Sequence, residues 1–121
     1  MPDLSSKAAI VTGSTHGIGL AVARRLVASG ADVLITSRTA KKVMAIAEQL
    51  SDEGPGRAVG IACDVRDPDE CASLVAGAVE ALGRLNILVN NAGVGHMKSV
   101  QEMSLEEWRD QIETNLGGVF Y

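Results

Sequence analysis

The sequence has little cysteine, few aromatic residues and no excess of positive charge. Its 121 residues include two cysteines and three aromatic residues, and the formal net charge at pH 7 is −4. Two cysteines are too few for a disulfide scaffold, and without a CxxC pair they do not make a tetrahedral metal site, so we expect no metal. The negative net charge provides no basic surface for phosphates, so we expect no nucleic-acid partner.

Long hydrophobic runs are also missing. The first apolar run, residues 8–11, is too short for a signal peptide or for a segment that spans a bilayer. We therefore expect a single cytoplasmic domain with no membrane partner. Apolar residues make up 46% of the chain, which argues against intrinsic disorder and allows a hydrophobic core.

Short apolar runs alternate along the chain with longer segments of helical periodicity. The predicted strands are residues 8–11, 33–35, 58–62 and 87–89, and helical patterns follow them at residues 17–29, from Thr39 to Gly54, from Asp67 to Gly83 and from Ser104 onward. Parallel strands joined by crossover helices form an open sheet with helices on both faces. The sequence therefore predicts a doubly wound α/β fold, in which ligands bind at the carboxyl ends of the strands.

The turn after the first predicted strand contains three glycines, Gly13, Gly17 and Gly19. The first allows a sharp turn, the second allows the backbone to approach a ligand, and the third allows the helix to pack close to the sheet. The free N–H groups at the start of the helix then suit a pyrophosphate. The spacing G-x-x-x-G-x-G lacks the lysine of a P-loop, which argues against an ATPase. We predict phosphate binding here, with a plain glycine turn as the alternative.

This glycine motif and the segment N-N-A-G at residues 90–93 resemble the motifs of the short-chain dehydrogenase/reductase family. Asp64 and Val65, after the third predicted strand, match a further element of that family. The resemblance covers the whole chain and implies a Rossmann fold with strand order 3-2-1-4. It also implies a nicotinamide dinucleotide as cofactor, and hydride transfer to or from a small carbonyl or alcohol substrate in the intact protein.

The resemblance implies roles for individual residues. Asp64 would accept a hydrogen bond from the adenine amino group, Asn90 and Gly93 would face the cofactor ribose, and Asn91 would brace the sheet. Ordinary turn or capping chemistry is the alternative for these residues. The predicted cofactor-binding residues are Gly13, Ser14, Thr15, His16, Gly17, Ile18, Gly19, Ser37, Arg38, Asp64, Val65, Asn90, Ala92 and Gly93.

Ser37 and Arg38 follow the second strand, where an NAD-specific site places a carboxylate for the ribose 2′-hydroxyl. Arg38 can form charge-assisted bonds with a 2′-phosphate, and Ser37 can donate one more. His16 either adds partial charge to this site or merely lines the turn. The sequence therefore predicts a preference for NADP(H) over NAD(H), with a solvated Arg38 as the alternative.

Asn115 is the predicted catalytic residue. It precedes two glycines in a helical segment, and each glycine destabilises a helix by about 1 kcal/mol relative to alanine. We therefore expect a helix kink that has a functional role. In the family that the chain resembles, an asparagine in this motif holds a water molecule of the proton relay. A helix that simply ends at Gly117 is the alternative.

The Ser-Tyr-Lys group, which performs the acid–base chemistry of this family, is missing from the sequence. The single tyrosine, Tyr121, is the last residue, and no lysine follows Lys98. We therefore expect residues 1–121 to be the cofactor-binding part of an oxidoreductase, truncated before the catalytic segment and inactive alone. The alternative is a stand-alone nucleotide-binding or regulatory module without catalysis.

Three further expectations concern side chains outside these motifs. His96 is expected to be a solvent-exposed loop histidine, and Cys63 and Cys71 are expected to be buried small hydrophobic residues. The apolar strand at residues 87–89 would form an open sheet edge, which favours pairing with other chains. We therefore predict a homo-oligomer.

Overall fold

The computed structural model, which describes residues 2–121, alternates strands with helices. The strands are β1 (Ala8–Val11), β2 (Asp32–Ile35), β3 (Ala58–Gly60) and β4 (Ile87–Val89), and the helices are α1 (Gly17–Ala28), α2 (Ala40–Glu53), α3 (Pro68–Leu82), α4 (Leu105–Ile112) and α5 (Gly118–Phe120). A π-helical turn, Glu113–Gly117, joins α4 to α5. Within residues 2–121, none of these helices has both the length and the apolar character that crossing a bilayer requires.

The four strands form one parallel sheet in the order β3-β2-β1-β4. This confirms the predicted strand order and the doubly wound, Rossmann-type α/β fold. Every residue of the central strand β1 is buried. Val11 at the end of β1 pairs with Ile35 of β2 and with Val89 of β4, so the carboxyl ends of these strands meet at one edge of the sheet.

The third strand is shorter than the predicted range of residues 58–62. It ends at Gly60 because its partner β2 ends at Ile35, the residue with which Gly60 is in register. Beyond that point the chain stays close to its neighbour without a regular ladder, since the N–H of Cys63 still donates to the carbonyl of Ser37 at 2.9 Å. The segment after β3 is therefore held beside the segment after β2.

The hydrophobic core lies in two layers, one on each face of the sheet. Because successive strand residues point to opposite faces, Ile10 packs on the α3 side, whereas Ala9 and Val11 pack on the side of α1 and α2. Cys63 and Cys71 belong to the α3 layer and are buried, as predicted. Burial raises the pKa of the Cys63 thiol to about 12, so this thiol stays protonated at neutral pH.

The edge formed by β4 and α4 exposes large apolar side chains. Leu88 is 55% exposed, and on α4 and the following turn Trp108 and Leu116 are 53% and 66% exposed. A capping box begins α4: Ser104 Oγ accepts from the N–H of Glu107, whose carboxylate accepts from the N–H of Ser104. Local hydrogen bonds, more than burial, stabilise the start of this helix.

Candidate functional site

The turn between β1 and α1 depends on its three glycines. Gly13 and Gly17 have φ angles of 61° and 58°, in the left-handed region that favours glycine. A Cβ at Gly19 would lie 2.2 Å from the carbonyl oxygen of Gly13, so only glycine lets α1 begin this close to the turn. A Cβ at Gly17 would meet nothing within 4 Å, which leaves open space beside the backbone at this position.

Ser14 braces this turn from inside and does not face the open space. Its side chain is fully buried, its Oγ accepts from the N–H of Thr36 at 3.0 Å, and its own N–H donates to the carbonyl of Thr36. Both polar groups are therefore used to hold the turn against the end of β2. The side chain of Ser14 therefore does not line the groove, and a cofactor contact of this residue stays a prediction.

Asn91, which is expected from the sequence to brace the sheet, holds the same turn from the end of β4. Its Nδ2 donates to the carbonyls of Thr12 and Gly13 at 3.1 Å each. In return, Thr12 Oγ1 accepts from the N–H groups of Asn91 and Ala92 at 3.0 and 2.9 Å. The two motifs singled out in the sequence are thus fixed against each other.

A groove of about 220 Å³ opens at the carboxyl ends of the strands, beside this turn. The predicted residues that line it are Gly13, Thr15, His16, Ser37, Arg38, Asp64, Val65, Ala92 and Gly93. They come from the segments that follow all four strands. The structure therefore brings together most of the residues that the sequence placed at a ligand site.

The predicted residues Gly17, Ile18, Gly19 and Asn90 are not part of the groove lining. Ile18 is 77% exposed on the first turn of α1. Asn90 is also exposed, because neighbouring residues of an extended segment point to opposite sides and Asn91 is the one directed at the glycine turn. The predicted ribose contact of the Asn90 side chain is therefore not part of this groove, whose β4 side is formed by Ala92 and Gly93.

The end of the groove next to β2 is positively charged. Arg38 and Lys42 both line it, and Ser37 and Thr39 add hydroxyl groups. Arg38 and Lys42 are exposed, and within residues 2–121 neither has a carboxylate at ion-pair distance. Two cations that form no ion pair, beside hydroxyl donors, favour an anionic group at this end.

Asp64 also lines the groove and is paired with Arg66. Arg66 Nε donates to Asp64 Oδ1 at 3.0 Å and Nη2 donates to Oδ2 at 2.7 Å. These bonds hold the pKa of Asp64 below its ordinary value, so Asp64 is an ionised acceptor at neutral pH. Asp67 caps α3 by accepting from two N–H groups of its first turn, so Asp64 is not needed as the cap.

Asn115 lies in the π-helical turn between α4 and α5. Its Oδ1 accepts from the N–H of Val94 and its Nδ2 donates to the carbonyl of Val94, both at 2.8 Å. The alternative that the helix ends at Gly117 is wrong, because α5 continues beyond it. The predicted helix irregularity is present as this π-helical turn. The side chain of Asn115 connects the turn to the loop that follows β4.

The sequence model of the short chain dehydrogenase family matches residues 7–121. The chain belongs to this family. It is 42% identical over 120 residues to a putative ketoacyl reductase of Streptomyces coelicolor, covering 99% of this chain and 46% of that protein. It is 38% identical over 118 residues to the 3-oxoacyl-(acyl-carrier-protein) reductase FabG of Escherichia coli, covering 98% of this chain and 47% of that protein.

Solved structures of short-chain dehydrogenases share the fold. A variant of the actinorhodin polyketide ketoreductase with NADPH superposes with a TM-score of 0.88 at 40% identity, covering 99% of this chain and 46% of that one. An alcohol dehydrogenase from Thermococcus sibiricus, complexed with 5-hydroxy-NADP, gives a TM-score of 0.90 at 32% identity, covering 94% and 48%. The chain thus spans about half the length of the curated relatives and structures that it matches.

His96 is not the exposed loop histidine that the sequence predicts. It is half-buried against α4, with Nε2 3.0 Å from Asp110 Oδ2 and Nδ1 3.6 Å from Glu107 Oε2. Glu107 and Asp110 are three residues apart on a helix, a spacing that places both carboxylates on one face. That spacing could have indicated a cation partner, although nothing local identifies His96 as that partner.

Lys42 and Arg66 are the charged groove residues that sequence reasoning missed. Lys42 lies in the first turn of α2, shortly after Arg38 in the segment that precedes this helix, and two cations so close together in sequence were an available signal. Arg66 stands two residues after Asp64, close enough to pair with it locally. Within residues 2–121, no cluster of three or more metal-ligating side chains is formed.

Proposed function

We propose that this chain is the cofactor-binding part of an NADP(H)-dependent oxidoreductase, and that the groove at the strand ends binds the dinucleotide. The observation that carries this proposal is the combination, in one groove, of the glycine-turn residues Gly13, Thr15 and His16 with the cations Arg38 and Lys42. The structure neighbours with NADPH and with 5-hydroxy-NADP support it.

The pyrophosphate is assigned to the N-terminus of α1. The caps of α3 and α4 are occupied by side-chain acceptors, and each of these helices has two acidic residues in its first turn. At α1, as at α2, the N-cap residue makes no side-chain hydrogen bond to the helix and the first turn contains no acidic residue, and α1 is the helix that follows the glycine turn. The N–H groups and the positive end of the helix dipole therefore remain available to an anion.

The ribose 2′-phosphate is assigned to the end of the groove next to β2. The Arg38 guanidinium can donate two parallel bonds to a phosphate, and Lys42 adds a second positive charge. A carboxylate at this position would instead bind a free 2′-hydroxyl. Since Ser37 and Arg38 stand there, we favour NADP(H) over NAD(H).

The adenine is assigned to Asp64 and Val65, and the nicotinamide end of the cofactor to the loop that contains Gly93. When bound, the nicotinamide supplies or accepts a hydride, and in the whole protein its partner would be a small carbonyl or alcohol substrate. Asn115 holds the backbone of Val94 in this loop through both ends of its amide. We propose that this contact fixes the loop at the reactive end, and that the proton relay of the whole protein passes here.

The chain as given lacks a suitable general acid. The hydroxyl of Tyr121, its single tyrosine, donates to Glu113 Oε2 at 3.1 Å, and this bond raises the pKa of Tyr121. A catalytic acid–base group works best with a pKa near the working pH. We therefore propose that these 121 residues bind the dinucleotide without catalysing hydride transfer.

A titration of the purified chain with NADPH, followed by nucleotide fluorescence or calorimetry, tests the assignment of the groove. Gly17→Asp should abolish binding, because it places a carboxylate in the open space assigned to the pyrophosphate. Gly17→Asn is the matched control, since asparagine has the same size and a similar tolerance of positive φ but no charge. The proposal fails if the wild type does not bind NADPH, or if the two variants bind it equally well.

A further inference from the structure

Arg66 connects the groove to α4 and has no role in the function proposed so far. On one side it bonds to both carboxylate oxygens of Asp64. On the other side its Nη1 donates to Asp110 Oδ1 at 2.9 Å, across 44 residues of sequence. The second oxygen of Asp110 lies 3.0 Å from Nε2 of His96. The guanidinium is thus held between the loop after β3 and the helix α4.

The bonds from Arg66 leave a defined hydrogen-bonding capacity on Asp64. An ionised carboxylate has about four lone-pair positions and no donor. The N–H of Arg66 reaches Oδ1 at 3.0 Å, Nη2–H reaches Oδ2 at 2.7 Å, and Nε–H is shared between the two oxygens at 3.0 and 3.2 Å. These three donors make four contacts: Oδ1 accepts from the backbone N–H and from Nε–H, whereas Oδ2 has only one unshared bond, from Nη2–H. The remaining acceptor capacity of the carboxylate therefore lies on Oδ2.

The same bonds fix the orientation of the Asp64 carboxylate before any ligand arrives. The two parallel bonds from Nε and Nη2 of Arg66 restrict rotation of the Asp64 carboxylate. The bond from Nη1 to Asp110 holds the guanidinium itself in place. A group that is already ordered loses less conformational freedom on binding. Asp64 still lines the groove and its side chain is 26% exposed, so the carboxylate remains accessible.

We propose that Arg66 is a positioning residue of the adenine subsite: it orients Asp64 and leaves acceptor capacity on Oδ2 of this carboxylate for the exocyclic amino group of adenine. This inference rests on the proposed dinucleotide site. In a purine with a carbonyl oxygen in place of the amino group, that oxygen would face the Asp64 carboxylate, and neither group can donate a hydrogen bond to the other. Such a purine is therefore bound more weakly. Sites that hydrogen-bond one polar group discriminate strongly against analogues that lack it.

The test compares NADPH with its hypoxanthine analogue, the reduced nicotinamide hypoxanthine dinucleotide phosphate, by fluorescence titration of the full chain. The wild type should bind NADPH about tenfold more tightly or better, the scale of one hydrogen bond to a charged group. In Arg66→Ala most of this preference should disappear, through loss of NADPH affinity with little change for the analogue. Arg66→Lys should behave like Arg66→Ala, because lysine keeps the charge but not the fork.

Two further variants separate positioning from general effects. Arg24→Ala is the matched control: it removes another partly exposed arginine, which bonds to Glu53 at 2.8 Å and does not line the groove, and it should leave the preference unchanged. Asp110→Asn keeps Arg66 but weakens its second anchor, and should reduce the preference in part. If Arg66→Ala does not fold, as judged by circular dichroism, Arg66→Lys and Asp110→Asn still decide the inference.

The outcomes distinguish this inference from the function on which it rests. Equal losses for both nucleotides in the Arg66 variants, or an unchanged preference, overturn the positioning role. If Asp64→Asn removes the preference while the Arg66 variants keep it, the adenine assignment stands and the positioning role alone fails. If the wild type binds neither nucleotide, or binds both equally, the positioning role falls together with the adenine assignment.

Discussion

Replacing Arg38 with alanine should remove the preference for NADP(H) over NAD(H). Arg38 lines the positive end of the groove and forms no ion pair within residues 2–121, so its guanidinium is available to a phosphate. A hydrogen bond to a charged group contributes about 1.5–3 kcal/mol, which corresponds to about one to two orders of magnitude in affinity. Because Arg38 is exposed and Lys42 remains, we expect the lower end, a loss of about tenfold for NADPH.

The measurement is the ratio of NADPH to NADH affinity in the wild type, Arg38→Ala and Ser37→Asp. The ratio should exceed one in the wild type and fall close to one in Arg38→Ala, since NADH has no 2′-phosphate to lose. It should invert in Ser37→Asp, because the new carboxylate binds a free 2′-hydroxyl and repels a phosphate. Arg24→Ala, on the outer surface with Glu53, should leave the ratio unchanged.

Two results would refute this reasoning. A wild type that binds NADH more tightly than NADPH would show that the cations at the end of β2 do not recognise a phosphate. Equal losses for both nucleotides in Arg38→Ala would show that Arg38 supports the groove itself rather than the 2′-phosphate. Raising the salt concentration should weaken NADPH binding more than NADH binding, because the contact with the exposed Arg38 is screened.

The remaining predictions concern pH, catalysis and association. Bonds from Lys98 and Ser104 lower the pKa of Glu107 to about 2. The ionised Glu107 carboxylate therefore stabilises the fold above the ordinary pKa of a glutamate, and this stabilisation is lost as the pH falls towards about 2. The difference in melting temperature between the wild type and Glu107→Gln should therefore be largest near neutral pH and vanish in strong acid; a difference independent of pH would contradict this. Carbonyl reduction by the purified 121-residue chain should not exceed that of a mock preparation, since general acid–base catalysis is commonly worth about 10²–10⁴-fold and Tyr121 is not poised for it. The chain should self-associate in sedimentation experiments, and Leu88→Lys at the open β4 edge should weaken the association; a wild type that stays monomeric at high concentration would refute this.

Local patterns were sufficient to predict the fold and the glycine turn. Each strand is a short apolar run bounded by turn residues, and the strand order follows from the family that the two motifs indicate. The need for glycine at Gly13, Gly17 and Gly19 was likewise predictable from the spacing of the motif, although the close packing at Gly19 also involves the distant Asn91. The end of β3 at Gly60 was not, since the length of its partner strand decides it.

The side-chain contacts of the groove were harder to predict because they join distant segments. Ser14 belongs to the glycine motif, yet its hydroxyl is used by Thr36, 22 residues away. Arg66 and Asp110 are separated by 44 residues, and the pairing of His96 depends on how its loop crosses α4. Sequence patterns identified residue types that suit a ligand. The packing of distant segments determines which of those side chains are hydrogen-bonded within the protein and which line the groove.

The π-helical turn sets the position of everything that follows it. An α-helix turns by about 100° per residue, so one extra residue in a turn rotates the next segment by about that angle. At the far side of this turn, Gly118 lies so close to the loop after β3 that a Cβ would stand 2.8 Å from Cγ2 of Val65, a residue of the groove. Val65 of the groove therefore packs directly against the backbone of the last helical segment, so a side chain at position 118 would push into a wall of the ligand groove.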